Sequence, residues 1–284
     1  EREFMQFGQE LAEQLTGSRI AFIHFVNDDQ ETIELVTWSR ATLEHYCKAV
    51  YDAHYPISQA GIWADALRRA GPVVFNDYAN APDKHGLPEG HAELIRLISV
   101  PVLEGGKVRM MAGVGNKPEP YTDLDVETVQ LIANTIWRIV HQRRAEAALI
   151  QSESRFRSVS DAAQDAIIML DALGHIIHWN PAATRLFGYA QEEALGRDLH
   201  RLLPAEAYRD PALEGFARFQ DSGSGAAIGR TVEVVAVHQD GHEISVELSL
   251  SAINREDGWN AIGIVRDITE RKAAEAKLRQ LAQA

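Results

Sequence analysis

The groups able to do chemistry are few enough to take one at a time. Cys47 is the one cysteine among 284 residues. A lone thiol closes no intrachain disulfide and builds no Cys-rich metal site. It also lacks the second thiol that resolving redox chemistry needs. Cys47 sits between Tyr46 and Lys48 on an expected helix, where a small buried side chain is the plain reading. There are 11 histidines. No pair of them is read at His-x-x-x-His spacing on an expected helix, so no metal ligand is assigned. His85 and His91 merely bracket a Gly/Pro loop. No base lies at a telling spacing from a nucleophile, and no catalytic residue is assigned. The densest chemistry lies between residues 38 and 91, in Trp38, Tyr55, Trp63, Asp77, Tyr78 and His91, with Tyr46, Tyr51 and His54 among them. Amphipathic aromatics with a few polar groups suit a small-molecule cavity. Residues 76–90, with Pro82, Gly86, Pro88 and Gly90, read as a loop that can act as its lid.

The elements that must hold these residues follow from periodicity. Phe4, Phe7, Leu11 and Leu15 mark an opening helix. Strands are expected at 19–26, 31–38, 72–75, 97–103 and 108–114, and a mostly helical stretch at 41–69. Thr122 reads as an N-cap with Asp125 as its capping-box partner. The helix it opens carries Val129, Ile132, Ile136 and Val140 on one stripe and meets no Gly or Pro for over 30 residues. A helix that long connects domains or pairs with a copy of itself. Beyond it, strands are expected at 166–171, 175–180, 231–238, 243–253 and 261–266, short helices at 182–187 and 191–195, and a last helix from Thr269. Asp240-Gly241 is a strong hairpin signal. Ile244, Val246, Leu248 and Leu250 alternate with Glu243, Ser245, Glu247 and Ser249, as in an antiparallel sheet with one wet face.

Composition sets the outer limits. Hydrophobic residues make up 45% and charged residues 24%, enough apolar material for two cores. The net charge of −13 gives no footprint for nucleic acid or an anionic membrane surface. No apolar run approaches about 18 residues, so no span is expected. A single cysteine suits a reducing, cytoplasmic compartment. Glu1-Arg2-Glu3 is no signal peptide. The chain begins without Met and ends inside a helical pattern, so it is expected to be a piece of a longer protein.

The second half resembles a PAS domain. The resemblance is carried by Ile167-Ile168-Met169-Leu170-Asp171, Gly174-His175-Ile176-Ile177, Trp179-Asn180-Pro181-Ala182-Ala183, Leu186-Phe187-Gly188-Tyr189, Asp240-Gly241-His242 and Asp267-Ile268-Thr269-Glu270-Arg271-Lys272. The first half resembles a GAF domain through Ser99-Val100-Pro101-Val102, Met111 to Lys117, and Tyr121-Thr122. The two resemblances imply an α/β (α+β) chain of two sensor domains, each a central antiparallel sheet flanked by helices, joined by a long signalling helix. The expected boundaries are a GAF-like domain at 1–140, a connecting helix at 141–158, a PAS domain at 159–268 and a signalling helix at 269–284.

They also imply a non-catalytic input module, homodimeric through helices 124–156 and 269–284, whose small-molecule ligand in the GAF pocket signals to an effector in cis. A histidine kinase, a diguanylate cyclase or a phosphodiesterase is the implied parent, although no catalytic motif of these lies in the chain. Asn116-Lys117 with Tyr121 and Asp125 partly resembles nucleotide-binding GAF domains, so a cyclic nucleotide is the alternative ligand. A small redox enzyme built on the GAF half is the alternative of another class. In the PAS half the implied ligand contacts are Trp179, Asn180 and Arg230. Oxygen-sensing haem PAS domains ligate iron with a His where this chain has Ala212, so haem is not expected. Flavin photochemistry needs a Cys that this half lacks, so flavin is not expected either. Asp267 and Thr269, with Asp267 pairing Arg266, Arg271 or Lys272, are the expected relay between the last strand and the exit helix.

Overall fold

Every residue of β1 (Ile20–Val26) is buried, as only a central strand covered on both faces can be. It pairs antiparallel with β2 (Thr32–Trp38) and with β6 (Lys107–Gly115). With β3 (His54–Pro56), β4 (Val73–Phe75) and β5 (Leu97–Glu104) these form a six-stranded sheet in the order β3-β2-β1-β6-β5-β4. The structure, a computed structural model, describes residues 1–42, 54–82 and 93–283. It divides into two units, Glu1–Leu149 and Ile150–Ala284.

In the first unit, α1 (Arg2–Thr16) and the leading part of α3 (Asp123–Ala162) cover one sheet face. Met5, Ala12, Val129, Ala133, Ile136 and Val140 supply the buried stripes. Gly8 lets the two helices approach, since a Cβ there would lie 2.5 Å from Ile136 Cδ1. The opposite face carries Trp38, Trp63 and Tyr78 above short turns and α2 (Asp65–Arg68). The mostly helical stretch expected at 41–69, with a break near Pro56, holds less helix than that: β3, two 3₁₀ turns and α2 occupy its second part. Residues 43–53, with Cys47, lie outside the described residues.

α3 runs for 40 residues, longer than the spacing alone required, and crosses the division between the units. Its start is capped as expected. The Thr122 N–H and hydroxyl donate to Asp125 Oδ2 at 2.7 and 2.9 Å, and Lys117 Nζ donates to both carboxylate oxygens at 2.9 and 2.8 Å. Burial opposes the charge on Asp125, but these donors outweigh it and hold the carboxyl below its usual value. A depressed pKa stabilises the fold above the unfolded-state value and is lost as pH falls through the folded-state value. Asp125→Asn is expected to cost about 2 kcal/mol at pH 7, the scale of a charged hydrogen bond. In denaturant titrations the gap from the wild type should narrow as pH falls below about 4, the unfolded-state value, and close as it passes the lower folded-state value.

The second unit is a five-stranded antiparallel sheet in the order β8-β7-β11-β10-β9. Its strands are β7 (Ala166–Leu170), β8 (Ile176–Trp179), β9 (Thr231–Val237), β10 (Glu243–Arg255) and β11 (Gly258–Asp267). β9 and β10 turn at Asp240-Gly241 as expected, with Gly241 at φ 95°. Helices α4 (Pro181–Phe187), α5 (Gln191–Ala194), α6 (Leu199–Leu202) and α7 (Glu206–Ser222) precede β9, and α8 (Thr269–Gln283) leaves the sheet. The pattern did not reveal α7, which contains Pro211 and so lacks one ladder hydrogen bond.

Candidate functional site

Residues on a strand point alternately to its two faces, and in the second unit the alternation divides two tasks. Val232 and Val234 of β9, and Val246 and Leu248 of β10, face a cavity of about 380 Å³. Ala261, Gly263 and Val265 of β11 line it as well, and Leu203, Phe216 and Phe219 close it from the helices. Its size has a local cause. Small residues on the sheet (Ala236, Ala261, Gly263) share the lining with small residues of α7 (Ala212, Gly215), so no side chain fills the space. Nearly every lining group is apolar. The polar ones are His200, Tyr208 and Arg218. The His200 ring lies against Phe216 with centroids 4.3 Å apart, and its Nδ1 is 3.6 Å from Asp198 Oδ1. Burial pushes the His200 pKa down against the opposing pull of Asp198, so the imidazole is neutral at neutral pH. Apolar cavities favour apolar guests over water.

The outward positions of the same strands hold the exit helix. Glu233 and Glu247 are register partners on β9 and β10. Arg271 of α8 donates to Glu233 at 2.7 Å and to Glu247 at 3.2 Å, and Lys272 pairs with Glu233. Arg266 of β11 pairs with Asp165, at 2.7 Å, just before β7. These partners correct the expectation that Asp267 pairs Arg266, Arg271 or Lys272. Asp267 instead caps α8, accepting from the Thr269 N–H at 2.8 Å, and Ile268 is buried between them.

The other residues singled out by sequence fall as follows. Trp179 is 1% exposed, donates from Nε1 to Thr184 Oγ1 at 3.1 Å, and packs on Phe187. Asn180 accepts from the N–H groups of Ile167 and Ala183, and donates to the carbonyls of Ser160 and Asp165. All four bonding positions of its amide are spent on joining the end of α3 to β7 and α4. Arg230 is exposed. None of these three lines the cavity, which corrects their expected role as ligand contacts. Ala212, the residue at which the resemblance led to no haem being expected, does line it. His238 and His242 do stand at His-x-x-x-His spacing, but on a hairpin rather than a helix, and they converge across the Asp240-Gly241 turn.

In the first unit Trp38, Trp63 and Tyr78 are core residues, 7, 7 and 3% exposed. Phe22 meets both indoles edge-on at 6.1 and 6.0 Å, and the His24 ring lies 4.8 Å from Trp63. Burial pushes the Tyr78 phenol up to about 12. Asp77 is exposed and spends its carboxylate on the Asn80 N–H and amide. Asn116, at φ 62°, accepts from the Ile95 N–H and donates to the Glu93 carbonyl. With Lys117 bound to Asp125, the residues read as a cyclic-nucleotide pattern brace the strand–helix junction. Tyr55 lies on β3, and His91 lies outside the described residues. The structure thus brings the two tryptophans and Tyr78 together, but not Asp77 or Asn116 with them.

Residues 1–141 match the model of the GAF domain, and residues 154–268 match that of the PAS fold. A methyl sulfide methyltransferase-associated sensor from Methanosarcina acetivorans is 34% identical over 149 residues, covering 52% of this chain and 15% of that protein. The sensor protein FixL of Bradyrhizobium diazoefficiens is 29% identical over 154 residues, 54% of this chain and 30% of its own. The sensor histidine kinase TmoS of Ectopseudomonas mendocina is 29% identical over 158 residues, 55% and 16%. The chain thus spans less than a third of the length of each of these relatives.

Proposed function

Because this chain is a GAF domain and a PAS domain in tandem, a sensory pair, we propose that it binds a small apolar molecule in the PAS cavity and relays occupancy through α8 to an effector in cis. The observation that carries this reading is the shared use of β9 and β10. Their inward valines bound the cavity, and their outward Glu233 and Glu247 clamp the first turn of α8. A guest that presses on Val232, Val234, Val246 or Leu248 moves the strands to which Arg271 and Lys272 are tied. β11 adds a second route, since Gly263 and Val265 line the cavity six and four residues before α8 begins. This moves the ligand site from the GAF half, favoured by aromatic content, to the PAS half.

The effector is of the histidine kinase type in this proposal, supported by the name of one relative and by the covered share of the others. A homodimer through α3 and α8 completes it. Every residue of α3 from His141 to Val159 is exposed in the single chain, among them Leu149, Ile150, Phe156 and Val159, and α8 exposes Leu278 and Leu281. Apolar side chains at such positions gain by pairing with a second helix. No helix among the described residues is long and apolar enough to cross a membrane, and we place the module in the cytoplasm.

Helix phase tests the relay in the full-length protein. One residue inserted after Lys272 rotates everything downstream by about 100°. It is expected to lock output on or off, and a seven-residue insertion to restore most of the response because the heptad phase returns. Output indifferent to insertion length would reduce α8 to a tether and end the relay model.

A further inference from the structure

We propose that the tip of the β9–β10 hairpin binds a divalent transition-metal ion of the zinc class through His238, Asp240 and His242. The three ligand atoms lie within 4.8 Å of one another. His238 Nδ1 and His242 Nδ1 are 3.0 and 2.5 Å from the same Asp240 oxygen. The two imidazoles stack with centroids 4.6 Å apart and planes 25° from parallel. Metal–ligand bonds of about 2.0–2.2 Å hold neighbouring donor atoms roughly 3–3.5 Å apart, so small ring rotations convert this cluster into a coordination shell.

The backbone keeps the donors together. The His238 N–H donates to the His242 carbonyl, and the Gly241 N–H to the His238 carbonyl, both at 2.9 Å. The Gln239 N–H donates to the Phe187 carbonyl at 2.9 Å and seats the hairpin on the end of α4. His238 is fitted against Gly188, where a Cβ would come within 2.5 Å of its Nε2, so its Nδ1 side is the one turned toward Asp240. The Asp240 N–H also lies 3.3 Å from His238 Nδ1, so backbone and carboxylate of Asp240 both meet that nitrogen.

The donor set selects the ion. Two imidazole nitrogens and one carboxylate oxygen suit Zn²⁺, Ni²⁺ or Cu²⁺, whereas Mg²⁺ and Ca²⁺ take mainly oxygen ligands. Three protein ligands leave at least one position to water, so the ion exchanges with solvent. His242 and Asp240 are 59 and 63% exposed, which keeps that position accessible. The site lies at the closed end of the two strands whose outward glutamates clamp α8, so the metal is a second input to the same hairpin.

The test uses the chain without a histidine tag, stripped with a chelator and titrated with Zn²⁺ by calorimetry at pH 7.5. One saturable ion per chain is expected, with a raised thermal midpoint and no comparable response to Mg²⁺. His242→Ala, at an exposed position, and Asp240→Asn, which still accepts the His242 N–H, should each weaken binding at least tenfold while circular dichroism is unchanged. His175→Ala, at a separate His–Asp pair, should leave binding intact. Absence of saturable binding, or binding that both hairpin variants retain at wild-type strength, overturns the proposal.

Discussion

An uncharged apolar fluorophore, 1-N-phenylnaphthylamine, is expected to bind this chain once and to lose at least tenfold in affinity in the Ala212→Leu, Gly263→Leu double variant. Both positions line the PAS cavity, one on α7 and one on β11. A Cβ on Gly263 would sit 3.3 Å from Leu250 Cδ2 and 3.5 Å from Leu248 Cδ1, close but tolerable for flexible side chains. The new isobutyl groups therefore extend into free space rather than into packed atoms. Adding methylenes to a full core costs typically 1–3 kcal/mol. Here the sign should reverse, because side chains that fill a void recover dispersion and remove apolar surface from water. Fluorescence titration reads the affinity, and thermal denaturation should show a midpoint equal to or above the wild type. Retained probe binding would place the guest elsewhere. A collapsed midpoint would show that the cavity is smaller in solution than its lining implies.

Asn180→Ala is expected to cost the PAS unit about 3 kcal/mol, or about 10 °C in thermal midpoint at this domain size. Asn180 is 1% exposed, and its amide satisfies two N–H groups and two carbonyls from three separate segments. Alanine leaves all four without that partner, and a buried donor or acceptor left unpaired costs about 1–3 kcal/mol. Asn180→Asp should fall between the two, since it keeps the acceptor for Ala183 and Ile167 but loses both donors. The loss has a second consequence. The bond to Ser160 helps fasten the last turn of α3 to the sheet, beside the Ser160 hydroxyl's 2.7 Å contact with His178 Nε2 on β8, so amide exchange at the end of α3 should accelerate before the sheet itself opens. If the variant melts like the wild type, the junction is held by something other than this amide.

The contrast between Trp63 and His200 shows how far aromatic content leads. Trp63 was the natural anchor for a ligand, yet it packs on Phe22 and His24 inside the first core. The sequence marks His200 only as a fallback haem ligand, because one histidine on a short helix has no spacing to give it another role. Only the fold of α6 and α7 over the sheet places it on the cavity wall. The signal that was present lay in the small residues, Ala212, Gly215 and the Gly-Ala run at 225–227, which are poor at filling a core.

What the sequence alone determined is what local physics controls. The Asp240-Gly241 turn, the alternation along β10, the Thr122–Asp125 cap and the run of α3 without Gly or Pro each depend on residues within a few positions of one another. Such patterns survive any tertiary context that buries one face. The two sensor folds, carried by runs of ordered motifs, were legible for the same reason. Only the tertiary structure decided which side chains meet. Arg271 finds Glu233 and Glu247, 38 and 24 positions away, because β9, β10 and the start of α8 share one sheet surface. Asn180 became a junction and Arg230 an exposed residue, although both came from motifs that suggested a pocket. His238 and His242 have the spacing of a helical pair, yet they meet because a tight turn folds one strand back on the other, which spacing alone does not reveal. Partner choice and empty volume depend on strand register and on the sizes of residues facing each other across the fold, and neither is written in any short window of the chain.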